Sequence, residues 1–156
     1  MRKIELPVIQ LNDEDILPLY CDLYVLSKIQ ERMSLNQFER DIIGAVVKRD
    51  EGGNPKRDED GHLQLVFGEY NVSTLIFGLM LMINEGLEIR AEQTGEEYEE
   101  VTEKELSRMC EVPLITVSNE VHKAFNRCYI IKKNQQEKKT TDRKKRTRRS
   151  TSTESS

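Results

Sequence analysis

Residues 101–131, VTEKELSRMCEVPLITVSNEVHKAFNRCYII, contain two helix signals separated by a short break. Thr102 is suited to cap a first helix, and Glu105 three residues later completes a capping box. Pro113 fits the first position of a second helix, where its missing N–H is not needed. The second helix carries an apolar stripe at helical spacing: Val117, Val121 and Phe125. A short helix, a tight turn and a longer helix are therefore predicted, which is helix-turn-helix geometry.

Several of these residues match a known pattern. The stretch resembles the helix-turn-helix of bacterial and phage transcription regulators, which typically reads "LA…GVS…TVS", at Leu106-Ser107, Val112 and Thr116-Val117-Ser118. The following Phe125 and Tyr129-Ile130-Ile131 are similar to the helix end and first wing strand of winged-helix proteins. The sequence departs from the family pattern at Glu111, where a turn glycine is common, and at the apolar Leu114 and Ile115.

The resemblance implies a DNA-contacting role for a defined set of residues. Thr116 would touch phosphate near the helix N-terminus, where backbone N–H groups favour an anion. Asn119 is the best candidate for reading a base, because its amide can bond adenine through two hydrogen bonds. The groove-facing positions are Leu114, Ile115, Ser118, Asn119 and His122. Phosphate contacts are expected from Arg108, Lys123 and Arg127, and from Lys132 and Lys133 in the tail.

Charge is divided unequally along the chain. Residues 1–107 hold 11 Lys/Arg against 23 Asp/Glu, a net charge of −12, whereas residues 108–156 hold 13 against 5, a net charge of +8. The segment 132–149, KKNQQEKKTTDRKKRTRR, has no apolar residue and is expected to be disordered. Its position directly after the motif favours a polyanionic partner. The acidic part is expected to point away from DNA and to serve dimerisation or a protein partner.

Upstream of the motif, the pattern predicts three helices and short strands. A helix is expected over 13–33, followed by another after Ser34, which forms a capping box with Gln37. Residues 50–61, DEGGNPKRDEDG, predict a solvated hairpin or loop, and 62–67 predict a strand. A core helix is expected to begin at Asn71 and to continue through Ile83, followed by a hairpin that pairs 87–91 with 98–101. No internal repeat is expected.

Composition and motifs argue against an enzyme, a metalloprotein and a membrane protein. Three widely spaced cysteines, two histidines and the absence of a CxxC pair exclude a disulfide scaffold and argue against structural zinc. Cys110 and Cys128 are predicted to be small core residues. No phosphate-binding loop, nucleophile elbow or HExxH motif is present. We therefore expect no catalytic residue, no metal and no cofactor. The absence of a recognisable signal peptide and of an apolar run of about 20 residues predicts a cytoplasmic protein.

These features predict a mainly helical fold with minor β-structure. A winged-helix-like or helix-turn-helix domain is expected over 1–131, with the motif at 102–127 and a disordered basic tail at 132–156. The predicted function is sequence-directed binding of double-stranded DNA by a homodimeric transcriptional regulator, with 15–33 and 71–84 as candidate dimer surfaces. One alternative is a plasmid or phage replication or partition factor. The other is an adaptor that binds a protein through its acidic N-terminal region, around 13–15.

Overall fold

A computed structural model describes residues 3–129, which form five helices and two small antiparallel sheets. The prediction of a mainly helical fold with minor β-structure is confirmed. In chain order the elements are β1 (Val8–Gln10), β2 (Ile16–Pro18), α1 (Leu23–Gln30), α2 (Leu35–Ile43), β3 (Ala45–Val47), β4 (Leu65–Phe67), α3 (Val72–Thr94), α4 (Glu103–Met109) and α5, which covers 114–129.

The N-terminal segment is a β-hairpin, so the helix predicted over 13–33 is wrong for its first half. β1 pairs antiparallel with β2, which ends at Pro18. The hairpin turn is held by Asn12, whose side-chain oxygen accepts hydrogen bonds from the backbone N–H groups of Glu14 and Asp15 at 2.8 Å. Such a side-chain bond offers the backbone an alternative to the helix. The helix itself begins only after Asp22, whose carboxylate accepts from the Val25 N–H at 3.0 Å.

α2 begins where the sequence predicts it. The Ser34 hydroxyl oxygen accepts from the Gln37 N–H at 3.1 Å, which caps the helix. The predicted capping box is not completed, because the Gln37 side-chain oxygen accepts from the Arg40 guanidinium at 3.0 Å and not from the Ser34 N–H, while the Gln37 amide group donates to Asp41 at 2.6 Å. α2 then packs its buried Phe38 and Ile42 against the centre of the molecule.

α3 is the central core helix. It begins at Asn71, as predicted, and the Asn71 side-chain oxygen caps it by accepting from the Thr74 N–H at 3.1 Å. It continues to Thr94 and ends at Gly95, so the hairpin predicted for 87–91 and 98–101 is wrong. Its length and hydropathy would suffice to cross a membrane, but 56% of its most apolar window is buried inside the fold. The fully buried positions are Leu75, Leu79, Met82 and Ile83.

Most of the apolar side chains of the two candidate dimer surfaces are buried within the single chain. The apolar side chains of 71–84 lie in the core of the single chain, and the same holds for Leu19, Val25, Leu26 and Ile29 in 15–33. Gly78 of α3 is one reason for the close packing, because a Cβ there would stand 2.5 Å from the Phe38 ring.

An arm formed by residues 45–67 connects α2 to α3. β3 pairs antiparallel with β4, with Val46 opposite Val66. Between these strands lie two consecutive octads of related sequence, KRDEGGNP (48–55) and KRDEDGHL (56–63). The predicted solvated hairpin or loop over 50–61 is confirmed, but the expectation of no internal repeat is wrong. We refer to 48–63 as the octad loops.

The octad loops fold into two equivalent turns. In each, one aspartate oxygen accepts two backbone N–H bonds: Asp50 from Gly52 and Asn54, and Asp58 from Asp60 and His62, all at 2.9–3.0 Å. A glycine with φ near +80° follows in each turn. The loops close through three backbone bonds, in which Lys56 donates to Lys48, Gln64 donates to Lys56, and Lys48 donates to Gln64.

Candidate nucleic-acid interface

The first helix of the predicted motif is α4. The Thr102 hydroxyl oxygen accepts from the Glu105 N–H at 3.1 Å, and the Glu105 carboxylate accepts from the Thr102 N–H at 3.3 Å. This is the complete capping box that the sequence predicts. The helix buries Leu106 fully and ends at Met109, because Cys110 takes up an extended conformation.

The turn between α4 and α5 is fastened to the N-terminal hairpin. The Asn12 amide donates to the Met109 carbonyl oxygen at 2.9 Å, and the Glu111 N–H donates to the Leu11 carbonyl oxygen at 2.9 Å. Asn12 also donates to the Asp15 carboxylate at 2.8 Å. These bonds join residues about 100 positions apart, so the N-terminal hairpin fixes the point at which the chain changes direction between the two helices.

One face of α5 belongs to the core. Val117, Val121 and Phe125 are buried, as their spacing predicts, and Cys128 continues the same face. The Phe125 ring lies 5.2 Å from the Phe38 ring of α2, a separation typical of packed aromatic pairs. The inner face of α5 is therefore held by both α2 and the central core.

The opposite face of α5 is a solvent-exposed stripe. Thr116, Asn119, Lys123 and Arg127 are all exposed and follow one another three or four positions apart, which places them on one side of the helix. We call this set the α5 stripe. It contains one amide, one hydroxyl and two cations, the groups that bind base edges and phosphates.

Two residues predicted to face a DNA groove have other partners. Ser118 is 3% exposed, and its hydroxyl donates to the Ile42 carbonyl oxygen at 2.6 Å, so the prediction for Ser118 is wrong. His122 is half-buried and lies 3.2 Å from the Glu39 carboxylate. The ring of His122 thus connects α5 to α2. Both side chains point towards α2, which covers more of α5 than the apolar stripe alone indicates.

The apolar residues at the start of α5 are accessible. Leu114 is 43% exposed and Ile115 is 53% exposed, so neither is used by the core. Arg108 at the end of α4 is also exposed. Tyr129 is still helical and does not begin a wing strand. The predicted wing residues Ile130 and Ile131, the tail and its Lys132 and Lys133 lie outside the described residues.

A small pocket of about 120 Å³ lies between the α5 stripe and the N-terminal hairpin. Lys123 and Arg127 line it from α5, and Val8 and Tyr20 line it from the hairpin side. Burial, followed by the nearby Asp22 carboxylate, raises the pKa of the Tyr20 hydroxyl. The C-terminal end of the stripe is therefore bordered by the hairpin, whereas its N-terminal end is open.

The described residues contain one group with the composition of a metal site. Asp58, Asp60 and His62 place their ligand atoms within 4.8 Å of one another. All three are exposed, and the Asp58 carboxylate already accepts two backbone hydrogen bonds within its turn. Hydrogen bonding within the second octad accounts for this arrangement.

Comparison of the chain with protein-family models, with curated proteins and with solved structures found no match.

Proposed function

We propose that this protein binds double-stranded DNA through the α5 stripe, in the manner of a helix-turn-helix regulator. The observation that carries the proposal is the division of α5 into a fully buried apolar face and an exposed face of hydrogen-bonding and cationic groups. A recognition helix needs this arrangement, because one face must be held rigidly while the other enters the major groove.

The roles within the stripe follow from side-chain chemistry. Asn119 is the base reader, since its amide matches the N6 and N7 edge of adenine. Lys123 and Arg127 contact phosphates, and Thr116 binds phosphate beside the backbone N–H groups at the helix start. The exposed Leu114 and Ile115 would contact thymine methyl groups, which are the apolar features of the major groove.

The charge of the chain supports the same orientation. Residues 130–156 carry ten Lys/Arg and three Asp/Glu, and they follow α5 directly. A basic segment at this position would add sequence-independent affinity for the phosphates that flank the recognition helix. Two such helices in a cytoplasmic homodimer would read a two-fold symmetric site.

Selection from a random pool of DNA duplexes tests the proposal. The chain shortened to residues 1–134 is used beside the full chain, because the basic tail alone would bind any duplex. Enrichment of one defined motif by the shortened chain supports a base-reading α5. A folded protein that enriches no motif would contradict the proposal.

Single substitutions locate the contact. Asn119→Ala should relax the base preference at one position by about 1–3 kcal/mol, whereas Asn36→Ala, at an exposed position of α2, should change nothing. Lys123→Ala should weaken binding to all sequences and reduce the slope of log affinity against log salt by about 1. Arg90→Ala on α3 is the matched control for the removal of one exposed cation.

A protein-binding adaptor is the second candidate function, favoured by exposed apolar side chains on the arm. Phe67 is 84% exposed, and Val46, Leu65 and Val66 are 45–50% exposed. In the acidic region around 13–15, Asp15 accepts a hydrogen bond from Asn12, so Asp13 and Glu14 are the exposed carboxylates that a partner would contact. Charge reversal at Asp13 and Glu14 should abolish function under the adaptor hypothesis and leave DNA binding intact. The replication or partition alternative would use the same stripe on repeated sites.

A further inference from the structure

A groove of about 610 Å³ lies between α1, α3 and the segment leading into α4, on a surface that the proposed DNA contact does not use. Its floor is apolar and is formed by Val25, Met80, Leu81 and Val101, with Tyr24 at one side. Its acidic side chains are Glu85 and Glu88 on α3 and Glu100 and Glu103 on the opposite side, and its basic side chains are Lys28 and Lys104. We call this feature the acidic groove.

Most of these carboxylates have no cationic partner within the described chain. Glu103 pairs with Arg32 at 3.6 Å, and Lys28 at the rim pairs with Glu31 at 3.2 Å. Within residues 3–129, neither Glu88 nor Glu100 forms an ion pair. Burial, followed by a hydrogen bond with Asp22, raises the pKa of Glu85 to about 8, so Glu85 is largely uncharged at neutral pH. These glutamates surround Tyr98. Burial raises the pKa of the Tyr98 hydroxyl, and so do nearby carboxylates, in the order Glu88, Glu100, Glu92 and Glu85.

The chain leaves the described fold beside this groove. Tyr20 connects the two regions: it lines a small pocket together with Arg127 of α5, and its backbone N–H donates to the Met82 carbonyl oxygen of α3 at 3.0 Å, three residues before Glu85. Lys138 lies nine positions after Tyr129, a distance of about 30 Å along an extended chain. Segment 138–149 can therefore reach the groove within the same molecule.

We propose that the basic segment 138–149 of this chain docks in the acidic groove of its own molecule. The segment carries eight Lys/Arg and one Asp, so its charge complements the groove, and the long alkyl stems of lysine and arginine suit the apolar floor. A short connection keeps the segment at a local concentration of about 1 mM, so weak ionic contacts are sufficient. The proposal does not rest on DNA binding.

Zero-length carbodiimide cross-linking of the full chain at low micromolar concentration, followed by peptide mapping, tests the docking. Lys138, Lys139, Lys144 and Lys145 should couple to the groove glutamates roughly fivefold more often than to the exposed Glu51 and Glu59 of the octad loops. The preference should vanish in 1 M salt, where the screening length is about 3 Å. Equal coupling to both sets of carboxylates would overturn the proposal.

Charge-neutralised variants provide the matched comparison. The triple variant Glu85→Gln, Glu88→Gln, Glu100→Gln should move the remaining tail cross-links to other carboxylates. In ¹⁵N-labelled full chain, replacing the four tail lysines with glutamine should shift the backbone amide signals of 85–101. The control variant Glu51→Gln, Glu59→Gln, Asp60→Asn neutralises three exposed carboxylates outside the groove and should leave those signals unchanged. Unchanged signals in the lysine variant would overturn the docking even if the groove variant failed to fold.

A mixture of isotope-labelled and unlabelled chain identifies the origin of the segment. Cross-linked peptides of uniform isotope composition support docking within one molecule. Mixed peptides in the statistical proportion would show that the segment binds a second copy and would overturn the intramolecular proposal. Because neither readout contains DNA, failure here is distinguishable from failure of the duplex selection.

Discussion

Alanine substitutions at Ser118 and at Asn119 distinguish a packing role from a DNA-contacting role at these two neighbouring positions of α5. The buried Ser118 hydroxyl donates to the Ile42 carbonyl oxygen at 2.6 Å, near the C-terminal end of α2. Backbone carbonyls at that end have no partner within the helix. Alanine leaves the Ile42 oxygen buried without its hydrogen bond, which costs about 1–3 kcal/mol.

Thermal unfolding followed by circular dichroism measures this cost. At about 4 °C per kcal/mol for a domain of this size, the midpoint of Ser118→Ala should fall by about 4–12 °C. Ser107→Ala is the matched control, because the Ser107 hydroxyl donates to the Glu103 carbonyl oxygen on an exposed helix face, where water can replace it. Its stability should change by less than about 0.5 kcal/mol.

Asn119→Ala should behave in the opposite way. It should unfold at the temperature of the unsubstituted chain and lose base discrimination, whereas Ser118→Ala should keep its affinity for DNA per folded molecule. If Ser118→Ala proves as stable as Ser107→Ala, the reasoning about the Ile42 carbonyl is refuted. A stable Ser118→Ala protein that loses DNA affinity would return Ser118 to the groove face.

Three further changes test the packing, the octad loops and the electrostatics. Gly78→Ala places a methyl group 2.5 Å from the Phe38 ring. The overpacking cost of about 1–3 kcal/mol should exceed the gain in helix propensity of about 1 kcal/mol, so the variant should be less stable. A variant that is more stable in urea denaturation would contradict this. Gly61→Ala forces alanine to φ +83°, with no neighbouring atom within 4 Å, and should lower the free energy of unfolding by about 1 kcal/mol. Gly52→Ala, where φ is not positive, should lower it by less. Equal losses of stability in urea denaturation would contradict the strain argument. Burial and a hydrogen bond with a neighbouring aspartate raise the pKa of Glu85 from 4.5 to about 8, so the folded state holds this proton more tightly than the unfolded state. The resulting stability is complete below pH 4.5 and is lost as the pH rises through about 8. After allowance for solvent screening the loss is about 1–2 kcal/mol, and Glu85→Gln should flatten the stability curve between about pH 5 and 9. An unchanged slope would contradict the assignment.

The sequence predicts best what neighbouring residues decide. Helix starts at Ser34, Asn71 and Thr102 are each predicted and each is observed, because a side-chain cap joins groups only two or three positions apart. The helix predicted over 13–33 is wrong at its start. Leucines at helical spacing favour a helix there, but the hydrogen bonds that the Asn12 side chain accepts from Glu14 and Asp15 stabilise a hairpin turn. The bond from Asn12 to Met109 joins distant parts of the chain, and no local pattern indicates it.

The same distinction explains the candidate site. The buried stripe Val117, Val121, Phe125 follows from helical periodicity and is confirmed. The burial of Ser118 depends on α2, which packs beside α5. Because α2 also covers Ser118, the buried face of α5 includes a polar residue in addition to the apolar stripe. Only the fold reveals which neighbour covers a helix, so the predicted exposed face wrongly includes Ser118 and also includes His122, which is half-buried against Glu39. The octad repeat, by contrast, is legible in the sequence once 48–55 and 56–63 are aligned.

The closed set of backbone bonds in the octad loops limits how this region can change in length. In an open stack of repeats each unit bonds only to the next, and a further unit can be added at the end. Here Lys48, Lys56 and Gln64 each donate to another member of the same three, so all three backbone N–H groups are already used within the ring. Duplication of an octad would have to break this ring before it could extend the arm. The number of octads in the arm is therefore fixed at two. Insertions are more easily accommodated at the tips of the two turns, because a Cβ on either positive-φ glycine there meets no atom within 4 Å.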